Sequence, residues 1–233
     1  MSSIADCNGL DKLPDFTEII VIRHGETTWN ASRIIQGHLD SELNETGRQQ
    51  ATAVASHLSK EQKVVAIYSS DLKRAAETAN IIASTCNLPE VILDPALRER
   101  HLGDLQGLTL RDAAKLKPAA YKIFVSSKSD GEIPGGGESL NQLKERSVSC
   151  LERIAKKHKG ERVIVVTHGG LLRELYKHAV SANTTEGKVH NTSINVFLIS
   201  EDGNWTIKTW GDIRHLSEIG VLNNAFGGDR TSG

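Results

Sequence analysis

The chain contains an apolar run that ends in an arginine, a histidine and a glycine: Val21-Ile22-Arg23-His24-Gly25-Glu26-Thr27. The run begins at Glu18 and is rich in β-branched residues, which predicts a buried strand that ends where the glycine lets the backbone turn. A second stretch has the same arrangement: Val165-Val166-Thr167-His168-Gly169-Gly170. Functional sites gather at the carboxyl ends of parallel strands. The two histidines are therefore predicted to meet above one edge of a sheet.

Strands and helices alternate along the rest of the chain. The spacing of apolar residues predicts helices over 46–60, 71–86, 138–158 and 170–180, with one more near 108–116 in an otherwise irregular stretch at 94–137. It predicts strands over 18–23, 64–68, 91–93, 162–167, 193–200 and 205–210, the last two joined by a hairpin turn. This order predicts an α/β fold with a mostly parallel, mixed sheet covered on both faces. We expect a single domain over 17–222, with a flexible leader at 1–16 and a flexible tail at 223–233.

Composition narrows the functional class. The 233 residues carry a formal net charge of -1, with 38% hydrophobic and 24% charged residues, as in globular proteins. A nucleic-acid partner is not expected, since the basic excess of such proteins is missing. No apolar run approaches the ~20 residues that span a bilayer, so a membrane is not expected either. The three cysteines never form a C-x-x-C pair, which argues against a disulfide framework and favours the cytoplasm.

A third strand end adds a second arginine. Tyr68-Ser69-Ser70 leads into a helix whose first turn holds Arg74. A lone histidine at a strand end is more often a hydrogen-bonded core residue than a catalyst, and a lone arginine early in a helix is usually solvated. Together, however, Arg23, His24, Arg74 and His168 form a basic cluster that suits a phosphate dianion, because the guanidinium fork matches phosphate oxygens. A helix amino-end after Gly169 would add backbone N–H donors.

These motifs resemble the histidine phosphatase superfamily, the clan of cofactor-dependent phosphoglycerate mutase. Five stretches match its pattern in order, over about 19–199: Arg23–Asn30, Asn44–Ala51, Tyr68–Ala75, Leu97–Gly107 and Thr167–Gly170. The resemblance implies a three-layer α/β/α sandwich of the phosphoglycerate mutase-like kind. It also implies a hydrolase that acts on a small phosphorylated metabolite through a phosphohistidine, with no cofactor and no metal.

The resemblance also implies roles at the matching positions. His24 would be the nucleophile, and Glu99 would protonate the leaving group. Three side chains would hold the transferring phosphoryl group: Arg23, Arg74 and His168. Four residues would line the phosphate pocket: Asn30, Gln36, Gly37 and Gly169. Asn191 and Ser193 belong to a family-like segment and are weaker candidates for contact with the site.

Two alternatives stay open. The segment around Glu99 is close to that of the mutases, but Leu102 stands where mutases usually have tyrosine, and the insertion before the second histidine loop is short. A mutase must exclude water and retain its intermediate, so these differences favour the phosphatase. The other alternative is a non-catalytic phosphate-binding domain, which the retained nucleophile and arginines disfavour. The sequence names neither the substrate nor the oligomeric state, and a homodimer stays open.

Overall fold

The computed structural model describes residues 16–61, 63–126, 128–180 and 187–220. The expected tail at 223–233 and residues 1–15 of the expected leader lie outside the described residues. In the part of the chain that is described, no helix is long and apolar enough to cross a membrane.

A six-stranded mixed sheet forms the centre of the fold. Its strands are β1 (Phe16–Arg23), β2 (Ala66–Ser69), β3 (Ile92–Leu93), β4 (Arg162–Thr167), β5 (Ile194–Ser200) and β6 (Trp205–Asp212). They lie in the order β3-β2-β4-β1-β5-β6. The first four in this order run parallel, whereas β5 pairs antiparallel with β1 and β6 pairs antiparallel with β5. The predicted mixed, mostly parallel sheet with a terminal hairpin is confirmed.

Helices cover both faces of the sheet. Their bounds are α1 (Thr28–Ala31), α2 (Glu45–Leu58), α3 (Lys73–Thr85), α4 (Leu110–Leu116), α5 (Pro118–Phe124), α6 (Leu140–Lys157) and α7 (Gly169–Ala179). On one face α2 and α3 pack against side chains such as Ile20 and Val166. On the other face α6 and α7 pack against Val21 and Val165. Alternate residues of each central strand therefore enter opposite cores, as in a three-layer α/β/α sandwich.

The stretch at 94–137 is less irregular than predicted. Besides α4 it contains α5 and two turns of 3₁₀ helix, at Pro95–Leu97 and Gly103–Leu105. Pro118 stands at the start of α5, where the absent N–H costs nothing, so it begins a helix rather than breaking one. Ala120 and Phe124 of this helix pack in a third apolar cluster with Ile35. The helix is too short to show a clear period in the sequence, which is why the prediction missed it.

The register between β1 and β4 positions the two histidines. Arg23 lies opposite Thr167, and the His24 backbone N–H donates to the Thr167 carbonyl at 2.9 Å. His24 and His168 therefore leave adjacent parallel strands at the same level. The strand β2 lies on the other side of β4 and leads into α3, which carries Arg74 in its first turn.

Candidate active site

His24 is buried and held in one tautomer. Its Nδ1 lies 2.7 Å from the Gly25 carbonyl oxygen, which can only accept, so Nδ1 carries the proton. Burial lowers its pKa well below 6.5, and the charges of Arg74 and Arg23 add to this effect. A neutral imidazole protonated at Nδ1 presents the lone pair of Nε2, which is the form that a nucleophile requires.

His168 faces His24 across the sheet edge. The ring centroids lie 5.1 Å apart, and His168 is fully buried. Neither of its ring nitrogens has a hydrogen-bond partner among the described residues. Burial lowers its pKa, and the nearby charge of Arg74 lowers it further. Buried ring nitrogens that lack partners suit a polar ligand between the two histidines.

Two fully buried arginines stand beside the histidines. Arg23 donates from Nη1 to the carbonyl oxygen of Val189. Arg74 donates from Nη1 to the Leu39 carbonyl at 3.0 Å and from Nη2 to the Gly37 carbonyl at 2.8 Å. Burial lowers the pKa of Arg74 to about 10, so it remains cationic at neutral pH. The backbone thus fixes both guanidinium groups, and their charge favours an anion at this position.

Glu99 lies against the start of α7. Its Oε1 accepts from the Arg100 N–H at 2.7 Å and its Oε2 from the Gly170 N–H at 3.0 Å. A Cβ on Gly170 would stand 2.3 Å from Glu99 Oε1, so only glycine leaves room for the carboxyl group there. The His38 ring donates from Nε2 to the Glu99 carbonyl oxygen at 2.6 Å.

The four predicted pocket residues lie beside these groups, two on helices and two on a loop. Asn30 is buried in α1, where its Oδ1 accepts from the Thr27 N–H at 3.0 Å. Gln36 is buried, its Oε1 accepts from Thr27 Oγ1 at 3.2 Å, and its Nε2 has no partner in the described ranges. Gly37 has φ +53 and presents its carbonyl to Arg74, while Gly169 begins α7 immediately after His168.

Asn191 joins this site. Its Nδ2 donates to the His24 carbonyl oxygen at 2.9 Å and lies 3.5 Å from Asn30 Oδ1. The neighbouring Thr192 has φ +54, and its N–H donates to the Arg23 carbonyl oxygen. The family-like segment that contains Asn191 was the only sequence signal for this contact. The contact of His38 with Glu99 had no signal in the sequence, because it depends on how two loops meet.

Residues 19–213 match the family model of the histidine phosphatase superfamily (branch 1). The chain belongs to this superfamily. Phosphoglycerate mutase-like protein 4 of Arabidopsis thaliana is 58% identical to it over 219 residues, covering 94% of this chain and 95% of that protein. Metal-independent phosphoserine phosphatase, also of Arabidopsis thaliana, is 55% identical over 215 residues, covering 92% and 90%.

A solved structure has the same fold. Phosphoserine phosphatase from Entamoeba histolytica, in complex with 3-phosphoglyceric acid, superposes with a TM-score of 0.74 at 29% identity and covers 86% of this chain and 99% of that chain. The predicted family, fold class and enzyme class are confirmed: the chain is a phosphatase of phosphoric monoesters. Among the described residues, no group of three or more His, Cys, Asp or Glu side chains could hold a metal ion.

Proposed function

We propose that this phosphatase hydrolyses O-phosphoserine through a phosphohistidine formed on His24. The observation that carries the proposal is the hydrogen bond from His24 Nδ1 to the Gly25 carbonyl. It leaves Nε2 unprotonated, and burial beside two arginines keeps the ring neutral. No base is then needed to activate the nucleophile.

The transferring phosphoryl group would lie between the two histidines. Arg23, Arg74 and His168 would hold its equatorial oxygens, where charge must be stabilised. A bound dianion raises the pKa of a neighbouring histidine, so His168 would become a hydrogen-bond donor on binding. The amides of Asn30 and Gln36 would complete the pocket, together with the backbone at Gly37 and Gly169.

Glu99 would act as the general acid in the first half-reaction and as the general base in the second. In the first, a bond forms between His24 Nε2 and phosphorus, the bond from phosphorus to the serine oxygen breaks, and Glu99 gives its proton to that oxygen. In the second, a water oxygen bonds to phosphorus, the bond to Nε2 breaks, and the Glu99 carboxylate accepts the proton of the water. Alkoxide is a poor leaving group, so this protonation is essential to the first step.

Two relatives support the choice of substrate, since each is called a phosphoserine phosphatase. We also propose that the protein works in the cytoplasm and that residues 17–222 form one domain. The free thiols of Cys86 and Cys150 agree with a reducing compartment.

Phosphorus NMR tests the proposal directly. We expect the purified protein to release inorganic phosphate from O-phosphoserine in the presence of EDTA. The His24→Ala variant should release none while still folding, as judged by circular dichroism. Equal release by the variant, or loss of activity on adding EDTA, would contradict the proposal.

Phosphoglycerate mutase activity is the second candidate. It is favoured by the 58% identity to a protein named as mutase-like. The same NMR experiment distinguishes the two, with 3-phosphoglycerate and a trace of 2,3-bisphosphoglycerate as substrates. Formation of 2-phosphoglycerate faster than phosphate release would identify the mutase.

A further inference from the structure

Arg146 makes an unusually complete set of contacts next to Glu99. It lies in α6, outside every motif of the family pattern described above, and its side chain is 21% exposed. Its Nη1 donates to the carbonyls of Ala96 and Arg98 at 2.9 and 2.8 Å, and its Nη2 donates to the Glu99 carbonyl at 2.8 Å. The remaining two N–H groups bind Glu138, from Nε to Oε1 at 2.7 Å and from Nη2 to Oε2 at 2.8 Å. All five guanidinium donors are therefore used.

Glu138 holds the other side of Glu99. Its Oε2 accepts from the His101 N–H, and its own N–H donates to the His101 carbonyl, both at 2.8 Å. Its carbonyl oxygen accepts from Arg100 Nε at 2.9 Å. Arg146 thus fixes the chain before Glu99 and at its carbonyl, and Glu138 fixes the two residues that follow.

Arg146 and Glu138 form an ion pair with each other, and both side chains are largely buried. Burial raises the pKa of the Glu138 carboxyl, but the hydrogen bonds and charge of Arg146 outweigh it, so the pKa is lowered and Glu138 stays ionised. Half-buried bidentate pairs of this kind are geometrically specific. The other hydrogen bonds of the pair go to one segment, residues 96–101, which contains the proposed proton donor Glu99.

We propose that Arg146 and Glu138 are positioning residues that hold Glu99 in the geometry for proton transfer to the leaving group. The inference rests on the proposed function, in which Glu99 is that proton donor. It assigns to the pair a role in the chemistry of the leaving group rather than in phosphate binding, because among the described residues none of their hydrogen bonds reaches His24, His168, Arg23 or Arg74. The charge of Arg146 lowers the pKa of His168, but as a smaller cause than burial and Arg74.

The test compares a substrate that needs the acid with one that does not. O-phosphoserine has an alkoxide leaving group, whereas p-nitrophenyl phosphate releases a stable phenolate without protonation. In Arg146→Met, kcat/KM for O-phosphoserine should fall about 10- to 100-fold, part of what a general acid contributes, and that for p-nitrophenyl phosphate less than about 3-fold. Glu138→Gln, which keeps the shape and removes the charge, should show the same selectivity to a smaller degree and serves if Arg146→Met fails to fold.

Arg153→Met is the matched control. Arg153 lies on the same helix and forms an ion pair with Asp94, and in the described part of the chain it makes no hydrogen bond to residues 98–101. Both substrates should keep their wild-type kcat/KM in this variant. Equal losses for both substrates in Arg146→Met and Glu138→Gln, or no loss in either, would overturn the positioning role.

Glu99→Gln separates this failure from failure of the proposed function. The comparison uses kcat/KM, which covers the steps up to phosphoryl transfer to His24 and not the later step in which Glu99 would act as a base for either substrate. If Glu99 is the proton donor, Glu99→Gln lowers kcat/KM for O-phosphoserine selectively, and a non-selective loss in Arg146→Met then contradicts the inference alone. If Glu99→Gln lowers kcat/KM for both substrates equally, Glu99 is not the donor, and both the proposed mechanism and the inference are wrong.

Discussion

The neutral state of His24 follows from three effects that act in one direction. Burial, Arg74 and Arg23 all lower its pKa, and only the hydrogen bond to Gly25 opposes them. The two arginines that are proposed to hold the phosphoryl group therefore also keep His24 unprotonated. At this scale, strand ends and family motifs predicted five site residues, His24, Arg23, Arg74, Glu99 and His168, and their catalytic roles stay predictions. The sequence carried no information about the tautomer, which depends on one backbone carbonyl.

The pH dependence of the first step should reflect this environment. Because the pKa of His24 lies well below 6.5, protonation of His24 should not reduce kcat/KM until the pH is far below that value. A profile measured with p-nitrophenyl phosphate, which does not need the acid, isolates this limb. Loss of half the activity near pH 6.5 would mean that His24 titrates like an exposed histidine.

A substitution at Gly170 tests whether the position of the Glu99 carboxyl group matters. In Gly170→Ala the new Cβ would stand 2.3 Å from Glu99 Oε1, so the carboxyl group must move. We expect kcat for O-phosphoserine to fall at least about 10-fold, because proton transfer depends on geometry within hydrogen-bond reach. Phosphate affinity, measured by calorimetry, should fall less than kcat, since the new Cβ meets Glu99 and not Arg23, Arg74 or His168. Unchanged kcat would show that Glu99 does not need its present position.

At the scale of elements, the site depends on short pieces that sequence periodicity does not reveal. The long strands and α6 have clear patterns and were predicted to within a few residues. The helix α1 has four residues and is specified by a capping box, in which Thr27 and Asn30 bond reciprocally. The sequence held no signal for the role of Arg146, because nothing local connects this residue of α6 with Glu99, which lies 47 residues earlier.

Asn30 accepts the Thr27 N–H at the start of α1 and is also proposed to bind phosphate, and two variants separate these two roles. Asn30→Asp keeps the oxygen that caps α1 but replaces the amide donor with a negative charge beside the phosphate. We expect it to weaken phosphate binding strongly with little change in Tm. Asn30→Ala removes both groups and should also lower stability by about 1 kcal/mol, the usual value of a cap. Calorimetry with inorganic phosphate and thermal unfolding give the two readouts, and equal loss of stability in both variants would contradict this division.

At the scale of the whole molecule, the predicted catalytic residues lie at one edge of the sheet, at the carboxyl ends of its parallel strands. Arg23 is the last residue of β1 and His24 follows it, His168 follows β4, and Arg74 and Glu99 follow the next two strands in spatial order, β2 and β3. The alternation of strands and helices predicted this edge, because parallel strands align their carboxyl ends. The order of strands and the depth at which each side chain is buried could not be read from periodicity, since they depend on which strands pair.

Stability should fall in mild acid. Burial lowers the pKa of six described histidines: His24, His38, His168, His178, His190 and His215. Below the unfolded value of 6.5 the unfolded chain binds more protons than the folded chain, so the free energy of unfolding decreases as pH falls. This stability is fully present above pH 6.5, and for His215 the loss continues down to about 4.

Thermal unfolding without phosphate measures this effect. Tm should decrease steadily as the pH is lowered from 6.5 to about 5.5, a range in which carboxylates with an ordinary pKa near 4.5 stay largely ionised in both the folded and the unfolded chain. His215→Gln removes one titrating group outside the phosphate site and should make the decrease shallower. A Tm that is constant over this range would contradict the buried, neutral histidines.

The central claim is that His24 carries the phosphoryl group during turnover. Rapid alkaline quenching of the protein with O-phosphoserine labelled in its phosphate, followed by peptide mapping, tests it most directly. We predict acid-labile label on the peptide that contains His24, formed before phosphate is released and absent from His24→Ala. Turnover with no protein-bound label, or label on a peptide without His24, would contradict the account.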